Sequence, residues 1–210
     1  MRKSYLRILT SVFIAGTFLV AGCSASTKVI KTFEDPEYAN ASYSNYLVIG
    51  VAGDYDARVQ FENTVASRIR SQGASASAYY SIVRGNEPLA RDVVIDEVQK
   101  HGFDAVLVTH VVDQQAKISV VSGSAETKAS TKGGNAVNFF RYDYEELNEP
   151  ESINMRTTVV LGTELFSAAD EKMIWAIEST IPGVDHVGQL IGKTADAIID
   201  HLAKDRLIRR

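Results

Sequence analysis

Phe103-Asp104-Ala105-Val106-Leu107-Val108-Thr109-His110-Val111-Val112 is dense in β-branched and apolar residues and reads as the strongest strand of the chain. What precedes it decides the fold. Tyr46-Leu47-Val48-Ile49-Gly50-Val51 is a continuous apolar run of strand length, the pattern of a buried central strand. Ala78-Tyr79-Tyr80-Ser81-Ile82-Val83 predicts a strand between the two. Helices alternate with these runs. After the break at Gly53-Asp54, Phe61, Val65 and Ile69 recur at four-residue intervals, with Arg58, Glu62, Arg68 and Arg70 assigned to other faces. Asp54 or Asp56 caps that helix and Gly73 stops it. A turn at Gly85-Asn86-Glu87-Pro88 leads into a second helix over 89–101, stopped by Gly102. Strand, helix, strand, helix, strand make a βαβαβ unit, so this half is expected to be a parallel sheet covered by helices.

The second half changes character. Lys117-Ile118-Ser119-Val120-Val121 offers a hairpin partner, and 122–135 then turns to Ser, Gly, Thr, Ala and Lys. On composition, 122–152 is a flexible excursion. Within it Phe139, Phe140, Tyr142 and Tyr144 stand among polar neighbours. They are a candidate partner-binding patch, against the alternative of an edge strand folded back over the sheet. Strands at 156–167 and 172–181, joined by Ala168-Ala169-Asp170-Glu171, predict an antiparallel hairpin with Trp175 in its second strand. Pro182-Gly183 ends it. A closing helix over 186–207 carries Val187, Leu190, Ile191, Ile198 and Leu202 on one stripe, with Arg206, Arg209 and Arg210 complementing its carboxyl-end dipole. The expected class is α/β (α+β): a mixed sheet built from the βαβαβ unit plus an antiparallel C-terminal hairpin, packed by three helices.

At the amino end, Arg2, Lys3 and Arg7 precede an uncharged stretch over 8–21, and Gly22 and Cys23 follow. This is the charged region, apolar region and small-residue site of an export signal. Its 14 apolar-side residues fall short of the roughly 20 a membrane-crossing helix needs. Residues 24–45 read as a tether, with a short edge strand conceivable at Lys31-Thr32-Phe33. The organisation expected is a signal over 1–22, a modified cysteine and tether over 23–45, and one domain over 46–210.

Charge and cysteine content narrow the function. Without the three basic residues of the signal the chain has 19 basic and 26 acidic residues, a net of −7, which argues against a nucleic-acid groove or a polybasic lipid-binding face. Cys23 is the single cysteine, so no disulfide, thiolate nucleophile or cysteine zinc site is expected within the domain.

Motifs for catalysis are weak. Gly50-Val51-Ala52-Gly53 lies between strand and helix, where phosphate loops lie, but it lacks the lysine and places Asp54 against the phosphate position; a tight turn is expected. Gly188-Gln189-Leu190-Ile191-Gly192-Lys193-Thr194 falls inside a helix, whose amides are spent on the helix itself. His101, His110, His186 and His201 have no spacing that sets two zinc ligands on one helical turn. His110, on the side of Val106, Val108 and Val112, is read as a satisfied core or edge histidine before a general base. No Gly-x-Ser-x-Gly elbow occurs. Neither an enzyme activity, a cofactor nor a metal is expected.

Val20-Ala21-Gly22-Cys23 resembles the lipobox of bacterial lipoproteins. That resemblance implies cleavage between Gly22 and Cys23 and acyl chains on Cys23; Ser24, in place of the family's retention aspartate, implies the outer membrane, facing the periplasm, in a Gram-negative cell, and the inner or plasma membrane otherwise. The order of elements, together with Leu165-Phe166-Ser167-Ala168-Ala169-Asp170-Glu171-Lys172-Met173-Ile174-Trp175, resembles a group of envelope lipoproteins. The group includes uncharacterised outer-membrane lipoproteins and, more distantly, the curli-secretion-channel lipoprotein and the amino-terminal domain of the Tol translocation protein. The resemblance implies a periplasm-facing binding or assembly module for an envelope protein or glycan, with no nucleic acid. The alternative is a subunit of an oligomeric outer-membrane secretion pore, although a lipid-facing strand needs about 9–11 alternating residues and 116–121 is shorter.

Overall fold

A computed structural model describes residues 26–83, 89–116, 157–184 and 186–209. In chain order it contains β1 (Lys28–Glu34), a 3-10 turn (Pro36–Tyr38), β2 (Asn45–Gly50), α1 (Tyr55–Ser71), β3 (Ser75–Ala78), α2 (Tyr79–Ile82), α3 (Arg91–His101), β4 (Ala105–Ala116), β5 (Thr157–Ser167), β6 (Met173–Ile181) and α4 (Val187–Lys204). The strands form one six-stranded sheet in the order β1-β6-β5-β4-β2-β3. β2 is parallel to β3 and to β4, whereas β4, β5, β6 and β1 pair antiparallel in turn. This is the mixed sheet that the alternating pattern predicts, with β2 inside it and the β5–β6 hairpin laid against β4.

Alternation along the strands sorts side chains into two layers. Tyr46, Val48, Leu107, Leu165, Trp175 and Ile177 pack under α1 and α4 with Phe61, Val65, Ile69, Ile191, Ile198 and Leu202. Leu47, Ile49, Val106, Val108 and Phe166 turn the other way and pack with Val94 and Val98 of α3. The α1/α4 layer is itself divided: Val159, Leu161, Ile181, Val184 and Leu190 form a separate apolar cluster.

Hydrogen bonds fix how the elements enter the sheet. The Asp104 carboxylate accepts the Ser44 and Asn45 amides at 2.8 Å each and the Ser44 hydroxyl at 2.9 Å, setting the start of β2 beside the start of β4. After α4 the chain returns to the same end. Tyr46 donates its buried hydroxyl to the Leu207 carbonyl at 2.8 Å, the Tyr43 amide donates to the same carbonyl at 2.7 Å, and the Arg209 amide donates to the Tyr43 carbonyl at 2.8 Å. Trp175 donates its indole N–H to Asp205 at 2.8 Å, and Lys31 of β1 reaches the same carboxylate at 2.8 Å. Burial by itself raises the Asp205 carboxyl, but the bonds from Lys31 and Trp175 outweigh it and hold the group below its ordinary value.

Four expectations change. Ala78–Val83 is not a strand: β3 lies three residues earlier, and Tyr79–Ile82 is a helical turn. Its Tyr80 amide donates to the Glu62 carboxylate at 2.8 Å and the Ser81 hydroxyl donates to the Ala78 carbonyl, so local bonds override an apolar, aromatic strand pattern. The short edge strand at Lys31-Thr32-Phe33 is present but longer than expected: Lys28–Glu34 takes seven residues of the tether and pairs along β6 with a register shift between Lys31 and Phe33. Glu62, assigned to a polar face, is 0% exposed. The closing helix stops at Lys204, because Arg206 takes a left-handed φ of 59°, and Arg209 donates to Ser42 rather than facing the helix end. The proposed 117–121 hairpin partner and the 122–152 excursion lie outside the described residues.

Candidate functional site

β2 ends at Gly50 and the chain turns through Val51 and Ala52 into α1, whose amino end is capped by Asp54 accepting the Ala57 amide at 2.7 Å. A Cβ on Gly50 would lie 2.8 Å from a ring carbon of Phe61, so glycine is what lets α1 sit this close to the strand. The path from β2 through α1 leads to β3 on one side. The path through α3 on the opposite face leads to β4 on the other. β2 thus ends opposite Thr109, partway along β4, and leads directly into the amino end of α1.

A pocket occupies that place. It encloses about 450 Å³ including its open mouth and is bounded by Gly50–Ala52, by Arg58 and Phe61 of α1, by residues 109–111 of β4, by Leu161 of β5 and by Val187, Leu190, Ile191 and Thr194 of α4. Phe61 and Ile191 belong to one apolar cluster of this layer and Leu161 and Leu190 to the other. The pocket is therefore the gap between two cores. Its hydroxyls are already engaged: Thr194 donates to the Leu190 carbonyl at 2.8 Å, and Thr109 and Thr163 bond each other at 2.9 Å. Arg58 is different. Its Nε is buried without a hydrogen-bond partner among the described residues, and its guanidinium stacks 5.1 Å from the Tyr55 ring centroid.

Glu62, one turn along α1, accepts the Gly50 amide at 3.0 Å and the Tyr80 amide at 2.8 Å, joining β2, α1 and α2. Burial pushes its carboxyl up to about 7, opposed by those two amides and by the Arg58 charge. This is an architectural carboxylate fully committed to backbone donors.

A second titratable pair lies on the other face of the sheet. Val108 pairs with Glu164 and His110 with Gly162, so His110 and Glu164 are diagonal neighbours on one face. Gly162 makes room for the imidazole, since a Cβ there would come within 2.9 Å of its Cε1. Burial pushes His110 down to about 4 and Glu164 up to about 8. Glu164 is 6% exposed and its Oε2 has no hydrogen-bond partner among the described residues. His110 is placed, as its position in the strand predicts, on the side of Val106 and Val108. Among the described residues no group of three or more His, Cys, Asp or Glu side chains is arranged to hold a metal ion.

Gly22 and Cys23, and the aromatic set Phe139, Phe140, Tyr142 and Tyr144, lie outside the described residues. The pocket, Arg58, Glu62 and Glu164 escaped the reading of the sequence. Glu164 left a signal, as a lone charge inside the apolar run 159–166; Arg58 did not, because an arginine in the first turns of an amphipathic helix looks like any solvated cation.

No family model matches the chain, and no curated protein matches it. Among solved structures it is similar to a PelC dodecamer from Paraburkholderia phytofirmans, solved twice: 16% identity over 87% of this chain and 99% of that one at a TM-score of 0.47, and 14% over 88% and 99% at 0.46. It is also similar to lipoprotein GNA1162 from Neisseria meningitidis, with 16% identity over 76% of this chain and 96% of that one at a TM-score of 0.39. At these scores the likeness assigns neither activity nor assembly to this chain.

Proposed function

We propose that the chain is an acylated cell-envelope protein, anchored through Cys23 in the outer membrane and facing the periplasm, which serves as a binding or assembly module and not as an enzyme. The observation that carries this reading is the position of β1. It begins at Lys28, five residues after Cys23, so an anchor there holds the sheet edge within about 17 Å of the lipid surface at roughly 3.4 Å per extended residue. The outer backbone of β1 has no neighbouring strand among the described residues, and Ile30 and Phe33 on it are 45% and 38% exposed. An open edge with apolar side chains is the geometry of strand addition by a partner protein. Phe139, Phe140, Tyr142 and Tyr144 provide a second contact in this reading.

Membrane fractionation of a Cys23→Ser variant tests the anchor. The substituted protein is expected in the soluble fraction; firm retention in membranes contradicts the reading. A photo-crosslinking residue at Ile30 in intact cells tests the edge, with a discrete adduct expected there and absent when the same residue replaces Asp196 on α4. Equal labelling at both positions would remove β1 as the contact.

A further inference from the structure

The gap between α1 and α4 has the character of a built site. Three features of it are independent of one another. The first is position, where β2 ends beside β4 and the chain turns into α1. The second is the lining: Phe61, Val111, Leu161, Leu190 and Ile191 present apolar surface, and the two threonine hydroxyls beside them are spent on internal bonds. Among the described side chains that line it, one buried polar atom lacks a hydrogen-bond partner. The third is the residue that carries it, Arg58. Among the described residues its Nε is removed from water without an acceptor and no ion pair joins its guanidinium, although its charge acts on the Glu62 carboxyl one turn along α1. A buried donor left unmade costs free energy that an incoming acceptor recovers.

Charge narrows the ligand further. Asp54 caps α1 and Asp56 lies in its first turn, within four residues of Arg58 in sequence, and their charge opposes a multiply charged group such as a phosphate. The Asp54 oxygen already accepts the Ala57 amide, and α4 opens with no acidic residue in its first turn, so a single delocalised negative charge is tolerated where a dianion is not. A planar carboxylate also matches the guanidinium fork.

We propose that this pocket binds a medium-chain aliphatic carboxylate, with its tail between Phe61, Leu161, Leu190 and Ile191 and its carboxylate on Arg58. The site stands on the geometry of the domain alone and is independent of the membrane anchor.

The test uses purified full-length protein with isotope-labelled leucine and isoleucine methyl groups, titrated separately with sodium octanoate, octanol and sodium phosphate. Octanoate is expected to shift the methyl signals of Leu161, Leu190 and Ile191 at saturable concentration, octanol to shift the same signals at about tenfold higher concentration, and phosphate to leave them in place. Arg58→Gln is expected to weaken octanoate about tenfold while leaving octanol unchanged, because only the charge-assisted bonds are lost. Val187→Trp, which narrows the mouth at a part-exposed helix position, is expected to abolish both with the remaining methyl spectrum intact. Octanoate and octanol binding equally, an Arg58→Gln variant that binds octanoate as wild type does, or no saturable shift at these methyls would each overturn the proposal.

Discussion

Replacing Glu164 by glutamine is expected to stabilise the protein near neutral pH, although it removes a charge from the middle of a sheet. The carboxyl is 6% exposed, its Oε2 has no partner among the described residues, and burial pushes it up to about 8. In the unfolded chain the same group releases its proton near 4.3. Between those values the native state holds a proton that the unfolded state has lost, so stability falls as pH rises through this window, by about 1.4 kcal/mol per pH unit. At pH 7 the accumulated loss is about 3 kcal/mol. Glutamine has the same shape and does not titrate. The variant should match wild type near pH 4.5 and exceed it by about 2–3 kcal/mol at pH 7, which for a domain of this size is a rise of about 5–10 °C in Tm. His110 contributes with the opposite sign: held down to about 4 by burial, it favours the folded state above its ordinary value and withdraws that stability as pH falls from about 6.5 toward 4. Both proteins carry His110, so its contribution largely cancels in the difference. Urea melts of the pair at half-unit steps from pH 4.5 to 8 measure the result. A difference that does not change with pH, or a variant less stable than wild type at pH 7.5, would refute the reasoning, because either means that Glu164 is ionised and satisfied in the folded protein.

Asp104→Ala removes three hydrogen bonds at the entry to β2 and leaves the Ser44 and Asn45 amides to find other partners, so a loss of about 2–4 kcal/mol is expected in the same urea melts, with the amide signals of Ser44 and Asn45 shifted most. Trp175→Phe keeps much of the ring volume under α4 but deletes the indole bond to Asp205; a loss of about 1–3 kcal/mol is expected by thermal melting, and Asp205→Asn in the Trp175→Phe background should then cost less than it does in wild type. Asp54→Ala removes the α1 cap and is expected to lower stability by about 1 kcal/mol, read by the same melts.

The fold was legible where residue patterns carry their own reason. Apolar runs at β2 and β4, the four-residue spacing of Phe61, Val65 and Ile69, and the glycines after α1 and α3, with φ of 102° at Gly73 and 61° at Gly102, each point to one local structure. The mixed sheet follows from their order. Tyr79 to Ile82 misled because a strand-like composition is outweighed by a carboxylate seventeen or more residues away in sequence, on α1, that caps the turn at Tyr80. Glu62 misled for the same reason from the other side: nothing local says that two backbone amides will meet it. The pocket is less legible still, since it arises where α1, α4, β4 and β5 fail to close over one another, and a gap leaves no residue signature. Arg58 becomes distinctive only once its Nε is seen to be buried.

The account rests most heavily on Cys23, which no later residue of the sequence replaces as a determinant of place. Mass spectrometry of the amino-terminal peptide, taken from protein purified out of bacterial membranes, addresses it directly. The account predicts a mature chain that begins at Cys23 and carries a diacylglyceryl group on the thiol. A chain that still carries 1–22, or one that begins at Cys23 with a free thiol, would contradict it.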